Sequence, residues 1–328
     1  MIQFLLIKNI TNKVFDITQI VKTGATLSKT IGDLCYNFKF EIFEKSKVLI
    51  EGGDIIVVKI RNKEKFSGVI ISTSDNSYKA LDYGFYFNQN KETFQFEDIE
   101  ASKAIAFLIK SIGGHIGAIE TTNTMIDKLY FGQSLASILQ EIIDNISELE
   151  DKSYNFFYNQ GKFHFTKSKK DKYKEGNYKP LKAIKSRLRD FEFNGLKYID
   201  KPSRSTSIEN LRNSVRVYEQ KDNDYIKDSE AKAENSIKKF GLMQEIIEIK
   251  ENDKGVATKK AENILKQLNK VEERISFSVN FSNLEIDPFD ILELNYEEYN
   301  IKGIFEVTSV SYNISNNIKL KLECERVS

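Results

Sequence analysis

The side chains best suited to catalysis or metal binding are scarce in this sequence, which has two histidines and two cysteines among 328 residues. His115 follows a Gly-Gly turn, and His164 alternates with phenylalanines as in a strand. Neither histidine has a cysteine or carboxylate at ligand spacing, so we predict no metal site. Cys35 and Cys324 lie in or beside alternating apolar segments, which favours small core residues over a disulfide framework. No cofactor site is expected either.

Carboxylates are numerous, but their setting does not favour catalysis. The 48 acidic residues allow many pairs of the kind that glycosidases use, yet none stands in an apolar, cleft-like context. Glu141 and Asp144, for example, fall on the polar side of a predicted helix. The sequence also lacks a Gly-rich phosphate loop, a nucleophile elbow and a His-Glu helix motif. We therefore predict that the protein is not an enzyme, and we name no catalytic residue.

The one strong charge asymmetry is the basic stretch, residues 162–189, which holds eleven Lys or Arg against two acids. Three interpretations are open: a solvated face, a contact with the acidic surface of a partner protein, or nucleic-acid binding. The net charge of the chain is only +1, and Tyr173 and Tyr178 are too few for a stacking platform, so nucleic-acid binding is not expected. The residues that we predict to contact a partner protein are Lys169, Lys170, Lys172 and Lys174.

Two stretches of alternating apolar and polar residues, near the two ends of the chain, must form the framework for these side chains. The N-terminal pattern, residues 36–73, alternates Tyr, Phe, Phe and Ile with polar residues, turns at Asp54, and continues with two more apolar segments. The C-terminal pattern, residues 275–307, repeats this order around a turn at residues 287–290. Because period-two alternation indicates a half-buried strand, each pattern predicts three antiparallel strands joined as a meander, suited to a barrel or a strongly bent sheet.

Between and beside the two patterns the period changes to that of helices. Helical faces are predicted over residues 101–112 and 134–146, a hairpin over 154–166, and further helices over 229–240 and 257–272. The apolar runs are far shorter than a membrane span, and the first eight residues are too few for a signal peptide. We expect synthesis in the cytoplasm without export by the usual route, and no membrane contact.

These elements divide the chain into three predicted parts. Residues 1–83 form a first β domain, residues 84–206 a middle α+β module, and residues 207–328 a second β domain with a packed helix. The predicted fold class is therefore α+β, with two similar β domains flanking the middle module.

Several short motifs, in this order along nearly the whole chain, carry a family resemblance. They are Gly53-Asp54, Phe66-Ser67-Gly68, residues 82–90, Gly132-Gln133-Ser134-Leu135, residues 207–215, Ser236 to Gly241, residues 261–268 and Gly303-Ile304-Phe305. The chain resembles the baseplate hub proteins of contractile phage tails and tail-derived bacteriocins, of the XkdQ/YqbQ type and similar to late control protein D. One departure is that the helix before the C-terminal pattern has no obvious counterpart before the N-terminal one.

The resemblance implies two domains that are each similar to a tail-tube subunit, whether barrel or sheet. Three chains would then offer six such domains and adapt the sixfold tail tube to the threefold central spike. Implied partners are the chain itself as a homotrimer, the tube protein, the spike and a LysM-like tail protein, all in a virion or bacteriocin particle. We expect strand edges to join the subunits, with Met1–Lys8 and Ile318–Cys324 as candidates. The alternative is a tail-delivered protein that binds or hydrolyses cell-wall glycan.

Overall fold

The computed structural model describes residues 2–43, 48–185, 191–193, 196–197, 202–221, 224–249, 257–280, 286–296, 299–315 and 318–327. Strands predominate, as the two alternating patterns predict, and helices are concentrated in the middle of the chain. The described helices include none that is both long and apolar enough to span a membrane.

The N-terminal part of the fold consists of seven strands. They are β1 (Ile2–Ile7), β2 (Val14–Asp16), β3 (Ala25–Thr30), β4 (Asn37–Glu41), β5 (Ile55–Ile60), β6 (Lys63–Ser74) and β7 (Ser77–Leu81). The predicted alternation is confirmed in β4, where Phe38 and Phe40 are buried while Lys39 between them is exposed. Strands β3 to β7, which we call copy one, lie side by side in the order β5-β6-β7-β4-β3.

The middle of the chain packs two long helices against two small sheets. The elements are α1 (Phe85–Gln89), β8 (Lys91–Glu100), α2 (Ala101–Ser111), β9 (His115–Ile119), β10 (Met125–Ser134), α3 (Leu135–Glu150), β11 (Tyr154–Asn159), β12 (Lys162–Lys167) and α4 (Lys169–Lys174). The Ser134 side chain caps α3 by accepting the N–H of Ser137, as its position before an apolar stripe predicts. The predicted hairpin is β11–β12, which turns at Gln160 and Gly161 with positive φ.

The rest of the chain completes the large sheet and adds a small one. The elements are β13 (Leu181–Lys185), β14 (Phe191–Phe193), β15 (Leu196–Lys197), β16 (Ser203–Ser207), β17 (Ser214–Lys221), β18 (Asp224–Lys232), α5 (Glu234–Phe240), β19 (Gln244–Ile249), α6 (Ala257–Leu268), β20 (Glu272–Asn280), β21 (Ile291–Tyr296), β22 (Ile301–Ile314) and β23 (Lys319–Arg326). Helix α6 covers the small sheet β18-β17-β19 and shares a core with Val215 and Val217. The helix predicted over residues 229–240 begins only at Glu234, because the preceding residues extend β18 alongside β17.

Strands β16 and β20 to β23, which we call copy two, repeat the arrangement of copy one. Their spatial order is β21-β22-β23-β20-β16, so β16 corresponds to β3, and β20 to β23 correspond to β4 to β7. The long strands β6 and β22 even carry a β-bulge at the same place, after Ile70 and after Val307. The duplication read from the two alternating patterns therefore extends to strand order and register.

The predicted meander is wrong in one respect, and it is wrong in the same way in both copies. The first strand of each pattern pairs with the fourth strand and not with the second: β4 lies beside β7, and β20 beside β23. The connections over residues 42–54 and 281–290 are far longer than a two-residue hairpin turn, so they allow the next strand to join the opposite edge. The strands after this connection, β5 to β7 and β21 to β23, follow one another as hairpins.

The two copies belong to one sheet because β3 pairs with the second half of β22. This pairing brings residues of both copies, such as Phe38 and Phe277, into one hydrophobic core. Along the described strands the pairing runs as a path from β2 to β15, which is an open sheet and not two closed barrels. The segments that we expected to be edges are not edges: β1 lies between β2 and β5, and β23 lies between β20 and β22.

Candidate assembly site

The joint between the two copies is an antiparallel strand pair with six registered residue pairs, from Ala25 opposite Ile314 to Thr30 opposite Ser309. The hydroxyl groups of Thr30 and Ser309 lie 3.1 Å apart across the joint. Leu27, in the middle of β3, is fully buried there. The joint thus combines backbone hydrogen bonds with apolar burial, as a central strand pair of a folded domain does.

Each copy has a buried aspartate at the equivalent position, just before its third strand in chain order, β5 or β21. Asp54 and Asp290 both accept a hydrogen bond from the backbone N–H three residues earlier, and both pair with a lysine. In copy one the lysine is Lys8, at the end of β1, with Nζ 2.7 Å from the carboxylate. In copy two it is Lys169 of α4, at 2.5 Å. The same carboxylate therefore anchors a neighbouring strand in one copy and the middle of the chain in the other.

These ion pairs change the acidity of the lysines in the same direction. The hydrogen bond to Asp54 raises the pKa of Lys8 above its ordinary value. Burial alone would lower the pKa of Lys169, but the attraction of Asp290 outweighs burial and raises it. Both lysines are therefore charged at neutral pH and serve as ionic anchors.

A second carboxylate, that of Asp287, connects the two copies directly. It accepts hydrogen bonds from the hydroxyl of Tyr36 at 2.7 Å and from Nζ of Lys65 at 2.5 Å, and both donors belong to the N-terminal pattern. Burial would raise the pKa of Asp287, but Lys65 and Tyr36 hold it below its usual range. The pKa of Lys65 is raised because Asp287 outweighs the effect of burial. We infer an ionised pair that fixes the two copies relative to each other.

A cavity of about 450 Å³ lies beside this pair, between the copies and the β11–β12 hairpin. Its walls include Lys29, Lys65, Tyr158, Lys172 and Asp287. The cavity explains why the side chain of Asp287 remains 42% accessible although it lies deep in the fold. The ammonium group of Lys29 is buried at its edge, 5.3 Å from the ring centre of Tyr36, and burial lowers the pKa of this lysine.

Three of the four lysines predicted to contact a partner face carboxylates of the same chain. Besides the pair between Lys169 and Asp290, Nζ of Lys170 lies 3.9 Å from Glu306, and Nζ of Lys172 lies 3.3 Å from Glu120. Lys174 ends α4 and is exposed. The C-terminal end of the basic stretch, with both of its arginines, lies outside the described residues. Contact of this stretch with a partner protein stays a prediction.

His164 and Cys324 occupy structural positions. His164 stacks on Phe157 with ring centres 5.0 Å apart, and its Nδ1 accepts the N–H of Ala118 at 3.1 Å. Burial lowers the pKa of His164, and the nearby Lys162 adds to this effect. Cys324 is fully buried, and burial strongly raises the pKa of its thiol. Among the described residues, no group of three or more His, Cys, Asp or Glu side chains is placed to hold a metal ion.

Sequence reasoning found the turns at Asp54 and Asp290 but missed what their carboxylates do. The sequence predicts two equivalent turns, but the lysines that pair with their aspartates lie at distant points of the chain. A further missed cluster is Glu273, which pairs with Arg204 at 2.8 Å and with Arg326 at 2.5 Å. A signal was present in each case, because an acid within an alternating apolar pattern needs a buried partner.

Comparisons with known proteins agree with this architecture. A family model described as YQBQ-like matches residues 25–324. A tail protein from Neisseria meningitidis MC58 has 12% identity and a TM-score of 0.69, covering 99% of this chain and 96% of its own. Prophage tail protein gp18 from Listeria monocytogenes EGD-e has 12% identity and a TM-score of 0.66, covering 98% and 94%.

A third solved structure widens the comparison beyond phage tails. The E. coli c3393 protein is described as a component of the type VI secretion system with structural similarity to the T4 bacteriophage tail proteins gp27 and gp5. It has 7% identity and a TM-score of 0.55, covering 93% of this chain and 73% of its own. At such identities the likeness shows a shared fold. Comparison with curated protein sequences finds no match.

Proposed function

This chain belongs to the YQBQ-like family, as its sequence motifs predicted, and we propose that it is the structural hub of a contractile-tail baseplate. Family membership and the fold shared with phage tail proteins support a structural role in a phage tail. The role of a baseplate hub is more specific than a structural role in a phage tail. It is carried by one observation: the chain contains two five-strand units with the same strand order, the same bulge and the same buried aspartate.

Two equivalent units in one chain are what a threefold adaptor to a sixfold tube requires. Three chains present six units, and if copy one of each chain contacts copy two of the next, the interface is head-to-tail and closes as a cyclic trimer. The long strands β6 and β22 occupy equivalent places and can line the lumen of such a ring. The proposed partners are the tube protein above the ring, the central spike below it and a LysM-like tail protein. The proposed location is a virion or bacteriocin baseplate.

Imaging of particles tests the proposed role. Cells that lack this chain should produce tubes and sheaths without an attached spike, and expression of the full chain in trans should restore complete tails. Complete tails with spikes in its absence would contradict the role of a hub.

We propose no catalytic activity, because Asp287, Asp290 and Glu273 are engaged in ion pairs with lysine or arginine, and the buried Asp82 accepts hydrogen bonds from the backbone N–H groups of Tyr36 and Gly84. Purified chain incubated with peptidoglycan should leave turbidity and soluble sugars unchanged. Clearing that survives repurification and disappears on changing a single Asp or Glu would favour the alternative of a tail-delivered glycan hydrolase.

A further inference from the structure

The two copies offer the same pair of strand edges, but along the described strands only one such pair is joined within the chain. In the internal joint, β3 of copy one lies against the second half of β22 of copy two. The counterpart of β3 is β16, which pairs with β20 alone among the described strands. The counterpart of the second half of β22 is Ser72–Ser74 of β6, which pairs with β7 on one side and extends past the end of β5 on the other. Two equivalent half-joints thus have no strand partner among the residues that the structure describes.

Strand pairing fixes which residues correspond. Ile70 and Val307 both donate their N–H to the buried aspartate turn, to Asp54 and Asp290, and both precede the bulge. The residues after the bulge therefore correspond, so that Ser72 is equivalent to Ser309.

The same procedure relates β3 to β16. Leu27 lies opposite Phe38 of β4, and Arg204 lies opposite Ile275 of β20. Phe38 and Ile275 lie in turn opposite the equivalent residues Ala80 of β7 and Cys324 of β23. Leu27 thus corresponds to Arg204, and three residues further on Thr30 corresponds to Ser207.

We infer that Ser72–Ser74 pairs antiparallel with Ser205–Ser207 of a second copy of this chain, in the register of the internal joint. That register places Ser72 opposite Ser207 of the neighbouring chain, and Ser74 opposite Ser205. The inference rests on the proposed trimer and names the strands that close it. Each chain contributes one half-joint of each kind, so the contact is head-to-tail and repeats until the ring closes.

The side chains at the two open edges suit a contact that forms only on assembly. Residues 72–75 and 203–206 are exposed, and they are mostly serine and threonine, whose hydroxyls can pair across strands as Thr30 and Ser309 do. In the same register Asp75, in the turn after β6, would lie opposite Arg204, which gives charge complementarity. The strand part of the open edge is three residues long against six pairs in the internal joint, so it should hold less strongly.

Paired cysteines in assembled tail particles test the register, because the hydroxyls of Thr30 and Ser309 show that side chains meet at this position. The in-register variants carry Ser72→Cys with Ser207→Cys, or Ser74→Cys with Ser205→Cys. The off-register controls recombine the same four positions, as Ser72→Cys with Ser205→Cys and Ser74→Cys with Ser207→Cys. Thr30→Cys with Ser309→Cys is the matched internal control, and the unchanged chain reports any bonding by the native cysteines.

Mild oxidation followed by non-reducing gels should give, for both in-register variants, bands of two and three linked chains and none larger. The off-register variants should remain at least five-fold less linked, and the internal control should form a bond within a single chain. Particles that contain three chains, form the internal bond and give no linked chains in register would overturn this inference and leave the proposed hub intact. A ladder that continues to six chains would support the strand pair and contradict the trimer.

Discussion

Copy one and copy two have the same arrangement of five strands, but different strands flank them. Both keep the same five-strand order, the bulge in the long strand and a buried aspartate. Outside this unit, copy one is flanked by β1, antiparallel to β5, whereas copy two is flanked by β13, parallel to β21. In the proposed pseudo-sixfold ring the inner unit is the part that must be interchangeable, and the flanks are free to connect each copy to a different neighbour.

The lysines that pair with the two buried aspartates also come from different parts of the fold. Lys8 follows β1, the strand that flanks copy one, while Lys169 belongs to a helix that joins the middle of the chain to copy two. An equivalent site therefore stabilises a strand in one place and connects two parts of the chain in the other. Equivalent carboxylates in a duplicated fold can thus keep the same chemistry while they stabilise different neighbours.

The largest difference between the copies is expected at the joint strands. Leu27 of β3 is fully buried, whereas its counterpart Arg204 of β16 is substantially exposed. Leu27→Ala should lower the free energy of unfolding by about 2–5 kcal/mol, because it leaves a cavity in the shared core. Arg204→Ala should cost about 1 kcal/mol, since Glu273 retains Arg326. Urea unfolding of the two variants measures this contrast, and similar costs would contradict the distinction between an internal joint and an open edge.

A change of the buried aspartates should separate their two roles. Asp54→Ala should cost about 1–3 kcal/mol, because the N–H of Glu51 loses its acceptor while Lys8 keeps Glu51 as an ion-pair partner. Asp290→Ala should cost about 2–4 kcal/mol, since it leaves Lys169 without its carboxylate and the N–H of Asp287 without its acceptor. Hydrogen exchange should rise in β1 for the first variant and in α4 for the second. Exchange that rises in the same segments for both variants would show that the carboxylates do not anchor different neighbours.

A pH titration addresses a pair of equivalent positions that differ in charge. Tyr36 of copy one corresponds to Glu273 of copy two, where burial raises the pKa but Arg326 and Arg204 lower it below the ordinary value near 4.5. A carboxyl with a depressed pKa stabilises the folded state above its unfolded pKa and loses that contribution as the pH falls through its folded pKa. The unfolding free energy should therefore fall below about pH 4.5. Glu273→Gln should reduce this slope and leave the variant less stable at pH 7; an unchanged slope would argue against the pair.

The smallest effect on folding is expected from the exposed end of α4. Lys174→Glu should change the unfolding free energy by no more than about 0.5 kcal/mol, because an exposed charge is well screened. If the basic stretch contacts an acidic partner, the same variant should lower the number of assembled particles at low salt. Lys169→Glu is the matched comparison, since it should destabilise the chain itself by opposing Asp290. Normal assembly with Lys174→Glu at every salt concentration would leave a solvated face as the better interpretation.

Sequence patterns predicted the strands well and their neighbours less well. The alternation of Phe38 and Phe40, repeated by Ile275 and Phe277, is a local property and was sufficient to detect the duplication. Which strand lies beside which depends on contacts between distant residues, and a long connection carries no information about the edge that the next strand joins. For this reason the predictions of a meander and of free edges at the two ends of the chain were wrong.

The candidate site shows the same limit. The sequence shows that the turns before Ile55 and Ile291 are equivalent parts of a repeat. It does not show their lysine partners, because Lys8 and Lys169 lie 46 and 121 residues away from the aspartates that they bind. The joint through β3 could not be predicted either. The buried positions of β3 are Ala25, Leu27 and Lys29, and a lysine at one of them breaks the apolar alternation that marks a buried strand. The division into residues 1–83, 84–206 and 207–328 stays a proposal, and β13 of the middle part contributes a strand beside copy two.

A density map of the assembled baseplate at the junction of tube and spike tests the central claim most directly. We predict three chains there, with β3 to β7 of each chain and β16 with β20 to β23 superposing around one axis as six equivalent units. Within each chain β3 should lie against β22, and between chains Ser72–Ser74 should lie against Ser205–Ser207. Six chains at the junction, or three chains whose copies do not share a common axis, would contradict the account.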